Sequence, residues 1–203
     1  MALPVHLATP VERIDWSGTL PRLETPHGTI AARAVVVTVS TSVLAADRIQ
    51  FTPALPSWKR DAIAGLPLGL ANKVALALRR NALGVPQNTL VHVLANPSEP
   101  IHFQLRPFGR DLVVGHVGGA FAAALESAGE AATIDFAVER LSEMFGVRIS
   151  RQVIAARATA WRSDEWIGGS YSAARPGQAH RRADLAAPLG RRVLFAGEAV
   201  SRE

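Results

Sequence analysis

The run V193-L-F-A-G-E198 reads as a buried strand that stops at a glycine and delivers a carboxylate. In α/β sheets ligands bind in the crevice beyond the strand ends, and a carboxylate there accepts hydrogen bonds from sugar or polyol hydroxyls. Gly197 permits close backbone approach at that point. Taken alone, Glu198 reads more readily as an ordinary exposed acid than as a ligand acceptor. Upstream, W161-R-S-D-E-W-I-G-G-S-Y171 brings two tryptophans, paired glycines and the only tyrosine of the chain into eleven residues. Glycines let backbone lie close to something flat, although Trp161 and Trp166 would also suit core or boundary packing. No G-x-G-x-x-G occurs, so the usual nucleotide-binding turn for a pyrophosphate is missing.

At 203 residues the chain accommodates one large domain or two small ones. An apolar share of 48% against 19% charged residues supplies a core and excludes general disorder. Cysteine is absent, which excludes disulfides, thiolate metal sites and cysteine nucleophiles. M1-A-L-P-V-H6 has neither a basic stretch nor a long apolar run, and other apolar runs are strand-sized. Neither signal peptide nor membrane span is expected, and the cytoplasm is the expected location. The net charge of +5 is carried in short, separated arginine pairs such as R79-R80, R181-R182 and R191-R192. That pattern is a solvated surface; no nucleic-acid partner is expected.

Working back from Glu198, H180 to A187 precedes the last strand, and I149 to A160 reads as extended chain. A131 to F145 is an amphipathic helix with I134, V138 and L141 on one side, ended by G146. T89-L-V-H-V-L94, I101-H-F-Q-L105 and D111-L-V-V-G-H-V117 form an antiparallel meander. In A71-N-K-V-A-L-A-L-R79 the alternation puts V74, L76 and L78 on one face and Lys73 among alanines on the other. S57 is placed to cap a helix from W58 to G65, and S40 a short helix after V35-V-V-T-V39. That valine run has little alternation and is expected to be covered on both faces. Residues 4 to 39 read as short strands, including V5-H-L-A8 and V11-E-R-I-D15, around turns at W16-S-G18 and P26-H-G28.

Chemistry-bearing residues are few. Lys73 has room around it, and a partly buried lysine of lowered pKa could position water or assist proton transfer; a snorkelling lysine is the plain alternative. His92, His102 and His116 lie on successive strands, but no carboxylate sits beside them in ligand spacing, so no metal is expected. No G-x-S-x-G elbow supports serine hydrolysis.

The ordered segments V11-E-R-I14, A34-V-V-V-T-V-S40, F51-x-P-x-L-P56, L68-G-L-A-N-K-V74, W161-x9-Y171-S-x-x-x-P-G177 and L185-A-A-P-L-G-x-R-V-L-F-A-G-E198 resemble the flavin-containing amine oxidase superfamily. The resemblance implies an α/β fold (α+β, two-domain): a partial FAD-binding layer with an inserted antiparallel sheet-and-helix substrate domain. It divides the chain into 1–50, part of the FAD-binding domain; 51–155, the substrate domain; and 156–203, a return to the first domain that is truncated. It implies non-covalent FAD, with the Val11 backbone beside adenine, Ser170 where some relatives carry a flavin-bonded cysteine, and Gly197 and Glu198 near the ribityl chain. Lys73 would hold a water against flavin N5, Trp161 would sit by the isoalloxazine, and Tyr171 would form one wall of an aromatic cage for a small-molecule amine. The implied reaction takes amine to imine with hydride transfer to flavin and reoxidation by dioxygen, releasing hydrogen peroxide. The missing G-x-G-x-x-G and the ending A-V-S-R-E, short of the family's T-x-H-G-A segment, set a further expectation. It is that of a C-terminal portion, a fragment incomplete as a stand-alone enzyme that binds FAD poorly alone and draws on a partner chain for the missing motif. A catalytically inactive remnant acting as a binding module, and another flavoenzyme of the superfamily such as a desaturase, are the alternatives.

Overall fold

The computed structural model describes residues 4–80, 82–93 and 97–201. The chain divides into two compact units, Met1–Leu68 with Glu165–Glu203, and Gly69–Asp164.

In the first unit, β1 (Arg13–Asp15), β2 (Arg22–Thr25) and β3 (Gly28–Ala31) form an antiparallel run, and β5 (Gln50–Thr52) joins β1 in parallel. β4 (Val35–Val37) pairs in parallel with β11 (Val193–Phe195), 158 residues further on. Three helices complete the unit: α1 (Thr41–Ala45), α2 (Ser57–Gly65) and α5 (Arg181–Ala186). Residues 5–8 form no strand, and only Arg13–Asp15 of the expected V11–D15 strand pairs. Ser40 caps α1 by accepting from the Val43 amide, as its hydroxyl suggests. Ser57 does not cap α2; Pro56 takes that position, with fixed φ in place of a hydroxyl.

The valine run also departs from expectation. Val35 and Val37 are buried, but Val36 is 55% exposed, as is its neighbour in register, Leu194, at 39%. Only one face of this two-stranded parallel ribbon packs into the core. That core joins Ile14, Leu44, Ile63, Leu66, Leu185, Val193 and Phe195, with Phe51 stacked against Phe195. Unit 1 therefore closes one core from both of its chain segments, in a two-layer α/β arrangement.

Lys59 of α2 lies wholly inside that core. Its Nζ donates to the carbonyls of Asp184, Leu185 and Ala187 at 2.9, 2.7 and 2.5 Å, and sits 4.0 Å from the centroid of Phe195. An ammonium has three donors, and all three are used at the C-terminal end of α5, where carbonyls lack helical partners. Burial pulls the Lys59 pKa down to about 8, against an opposing pull from the Asp184 carboxylate.

The second unit carries a five-stranded antiparallel sheet, β10 (Val153–Ala158), β6 (Ala71–Leu78), β9 (Leu112–Gly118), β8 (Ile101–Leu105) and β7 (Thr89–Val93), in that order. The expected meander is present; Leu94, which the sequence adds to its first strand, lies outside the described residues. Helices α3 (Gly119–Ala128) and α4 (Glu130–Phe145) cover one face, bringing Ala122, Ala137 and Leu141 into one core with Val74, Leu76, Phe103, Leu105 and Val113. Gly115 is the tight point: a Cβ there would lie 2.8 Å from Val74 Cγ1 and 3.0 Å from the Phe103 ring. The opposite face holds Lys73, Ala75 and Ala77 of β6, as the alternation requires.

Candidate functional site

In the first unit, β4 and β11 run parallel and end together. Beyond their carboxyl ends lies a cavity of about 190 Å³, walled by residues 37–41 and 195–200 with Ser170 and Ile167. Ligand-binding crevices in α/β proteins form at this position. Gly197 turns the chain there at φ +119, a conformation that disfavours any side chain, and brings its backbone against Thr38.

Glu198 follows, its carboxylate already oriented. It accepts from the Ser172 amide at 3.0 Å and from the Ser172 hydroxyl at 2.8 Å. Arg182 locks the serine in turn: Nη1 donates to Ser172 Oγ at 2.6 Å and to the Ala199 carbonyl at 3.0 Å, and Nη2 to the Ser172 carbonyl at 3.1 Å. Two carboxylate oxygens offer about four acceptor positions, so Glu198 retains capacity for a ligand hydroxyl. Sequence reasoning missed both supports. Ser172 lies within the quoted Y171-S-x-x-x-P-G177 segment, whereas Arg182 stands in an arginine pair that reads as solvated surface.

The cavity wall also contains Thr41, 1% exposed, whose Oγ1 has no hydrogen-bond partner among the described residues. A buried hydroxyl without a partner costs about 1–3 kcal/mol, and a polar group of a ligand in the cavity would relieve that cost. The glycines of the aromatic segment serve a nearer neighbour than a flat ligand. Gly168, at φ +73, leaves no room for a Cβ, which would fall 2.8 Å from Ser42 Cβ. Ser40 and Ser42 donate to the carbonyls of Ile167 and Gly168 at 2.6 and 3.1 Å, lacing the loop to α1. This fixes Ser170 in the cavity wall and leaves the next residue, Tyr171, exposed.

Val11 lines a second cavity of about 280 Å³ that shares residues 37–39 with the first. Its backbone amide and carbonyl have no partner among the described residues, while Glu12 on one side is bonded through both groups. An unpaired backbone edge beside an apolar cavity suits a heteroaromatic ring with adjacent donor and acceptor. Gly197, Glu198, Thr41 and Val11 thus fit a dinucleotide-type cofactor such as FAD.

In the second unit, Lys73 and Trp161 are held through the residue between their chains. Asn72 is buried; its Nδ2 donates to Glu126 at 2.7 Å, and its Oδ1 accepts from the Thr159 hydroxyl and the Trp161 amide at 3.2 and 3.3 Å. Glu126 also accepts from the Ser163 amide and hydroxyl at 2.6 and 2.5 Å. Burial pushes the Glu126 carboxyl upward, but these hydrogen bonds from Ser163 and Asn72 together outweigh it and hold its pKa below the ordinary value. The network fixes the chain exit from β10 and hence Trp161. Lys73 itself is exposed, not partly buried. The described residues hold no cluster able to bind a metal, and no helix long and apolar enough to cross a membrane.

A family model described as flavin containing amine oxidoreductase matches residues 2–203. Among curated proteins, the chain is 33% identical over 206 residues to a probable polyamine oxidase 4 of Arabidopsis thaliana, covering 98% of this chain and 39% of that protein. It is 30% identical over 209 residues to a lysine-specific histone demethylase 1 homolog of Oryza sativa, covering 98% of this chain and 24% of the relative. Putrescine oxidase bound to putrescine superposes with a TM-score of 0.78 at 19% identity, over 96% of this chain and 44% of that one. Cyclohexylamine oxidase from Brevibacterium oxydans gives 0.69 at 24% identity, over 96% and 43%. The chain thus spans 24% and 39% of the length of these two curated relatives.

These findings correct the expectation of a C-terminal portion with only a partial flavin layer. The likeness to the family runs through residues 2–203 and, as a fold, through 96% of the chain. The same coverage goes against the readings of the chain as a fragment, as incomplete on its own, and as one that draws on a partner chain for a G-x-G-x-x-G segment. The physical reason lies in unit 1, where two distant segments, joined at β4 and β11, complete one core.

Proposed function

Because the chain belongs to the flavin containing amine oxidoreductase family, we propose that it is an FAD-dependent oxidoreductase that converts a small amine to an imine and releases hydrogen peroxide. When bound, FAD would supply the acceptor for the hydride of the amine carbon, that is one proton with two electrons, and dioxygen would take up those two electrons to give hydrogen peroxide. The residues of the chain supply position and electrostatics. Glu198, held by Ser172 and Arg182, accepts from cofactor hydroxyls, and Thr41 Oγ1 gains the partner it lacks. Gly197 admits the cofactor backbone closely, Ser170 lines its site without a covalent bond, and Val11 presents its free backbone edge to the adenine ring. Lys73 holds a water for proton transfer, and Trp161 and Tyr171 supply the aromatic surfaces against which the amine is oriented.

One observation supports this reading above the others. The crevice at the ends of parallel β4 and β11 holds a pre-oriented acceptor and a buried hydroxyl with no partner. The test is an absorbance titration of the folded chain with FAD, followed by amine-dependent peroxide release. A saturating, perturbed flavin spectrum is expected, with peroxide formed at least an order of magnitude faster than by Lys73→Met. A folded chain that leaves FAD free at high micromolar concentration refutes the proposal.

A further inference from the structure

One row of the second unit's sheet is basic from strand to strand. Lys73 on β6 faces His116 on β9, His116 faces His102 on β8, and His102 faces His92 on β7. The His102 and His116 rings stack at 4.7 Å with planes 4° apart, and His92 and His102 at 5.5 Å and 35°. All four side chains lie on the face that α3 and α4 leave open, where Lys73, His92 and His102 are exposed. Their companions there are small or apolar, such as Ala75, Val114 and Leu90, with Gln104 the neutral polar one. Among the described strand residues of that face none is acidic. Arg157, on the β10 edge, meets Glu130 of α4 at 3.8 Å.

Rings about 5 Å apart oppose one another's protonation. Burial, then His102, then Lys73 hold His116 below its ordinary value, and burial and His92 do the same for His102. The row therefore offers a charged ammonium followed by imidazole N–H donors, with no carboxylate in it to receive them. A polycationic amine laid across such a face meets like charge and no acceptor that compensates its desolvation. A carboxylate meets donors at every step, and draws a proton onto the row.

We propose that the open face around Lys73, His116 and His102 selects an amine that also carries a carboxylate, and disfavours the polyamines named in several relatives. This inference rests on the reading that Lys73 faces substrate. By linkage, the carboxylate strengthens as the imidazoles charge: if its binding raises proton affinity tenfold, it binds up to about tenfold tighter as pH falls through their titration.

The test uses the full chain and the imidazole NMR signals of its six histidines, assigned with His102→Gln and His116→Gln. Propionate and 1,4-diaminobutane are titrated at constant ionic strength. Saturable shifts of His102 and His116 with propionate alone, leaving His6, His27 and His180 unmoved, are the expected result. Propionate shifts that never saturate, that move all six alike, or that diamine reproduces, overturn the proposal. Wild-type spectra decide this even where a variant fails to fold. Flavin absorbance is followed in parallel: free FAD with saturable propionate binding loses the oxidase reading and keeps the anion face, and bound FAD without propionate binding does the reverse.

Discussion

Replacing Lys59 by methionine removes a charge from the first unit's core and keeps nearly the length of the side chain. The ammonium donates to three carbonyls at 2.5–2.9 Å, and two of these, on Leu185 and Ala187, have no other donor among the described residues. Three hydrogen bonds to a charged group contribute roughly 1.5–3 kcal/mol each, against about 3 kcal/mol by which burial disfavours the charged form, leaving a net loss of about 3 kcal/mol. For a chain of this size that corresponds to a fall in Tm of roughly 6–12 °C. Urea unfolding followed by far-UV circular dichroism at pH 7 measures it. The pH dependence is a second readout. The folded chain releases this proton near pH 8, whereas an unfolded lysine keeps it to 10.5. Between those values the unfolded chain binds more protons, so rising pH favours the wild-type fold. The wild-type advantage over Lys59→Met therefore widens from pH 8 to 10.5, and below pH 8 it is constant. A methionine variant at least as stable as wild type at pH 7 refutes the reasoning, because desolvation would then outweigh the three bonds.

Gly168→Ala places a Cβ against Ser42 in a left-handed conformation, and a loss of about 2 kcal/mol is expected from thermal unfolding. Gly115→Ala crowds Val74, Ile101 and Phe103, and overpacking of that kind costs about 1–3 kcal/mol by the same measurement. Glu126→Gln weakens the hydrogen bonds from Ser163 and Asn72. Since the folded carboxyl titrates below its ordinary value of 4.5, the stabilisation is present above that pH and is lost as pH falls through the folded pKa. The gap between wild type and variant, read by urea titration across pH 3–7, closes on the acid side.

Local pattern carried much of the fold. Alternation in A71–L78 put Lys73 opposite Val74, Leu76 and Leu78, and the period of α4 with Gly146 past its end located that helix. What the chain hides is whatever depends on pairing at a distance. Lys59 sits in W58-K-R-D, a surface-like tetrad, and its three acceptors lie 125–128 residues away. The histidines gave no register, so a stacked row looked like scattered residues. Val35–Val39 is apolar throughout, yet composition does not say which face a layer covers, and Val36 is exposed. At the candidate site, Glu198 stood out because Gly197 and a strand end precede it, whereas Ser170 came only from the family resemblance. Arg182 was not, since nothing in an arginine pair distinguishes an arginine locked onto Ser172 from a solvated one.

The pairing of β4 with β11 also sets an order of events during synthesis. Unit 2 is one uninterrupted stretch, Gly69–Asp164, so its sheet and helices can form as soon as that stretch leaves the ribosome. Unit 1 has to wait: until Val193–Phe195 emerges, β4 has no parallel neighbour and Lys59 no acceptors on α5. The early half of the core therefore spends the translation of more than a hundred residues with its apolar face uncovered, and any chaperone that holds this chain during synthesis is expected to engage residues 1–68.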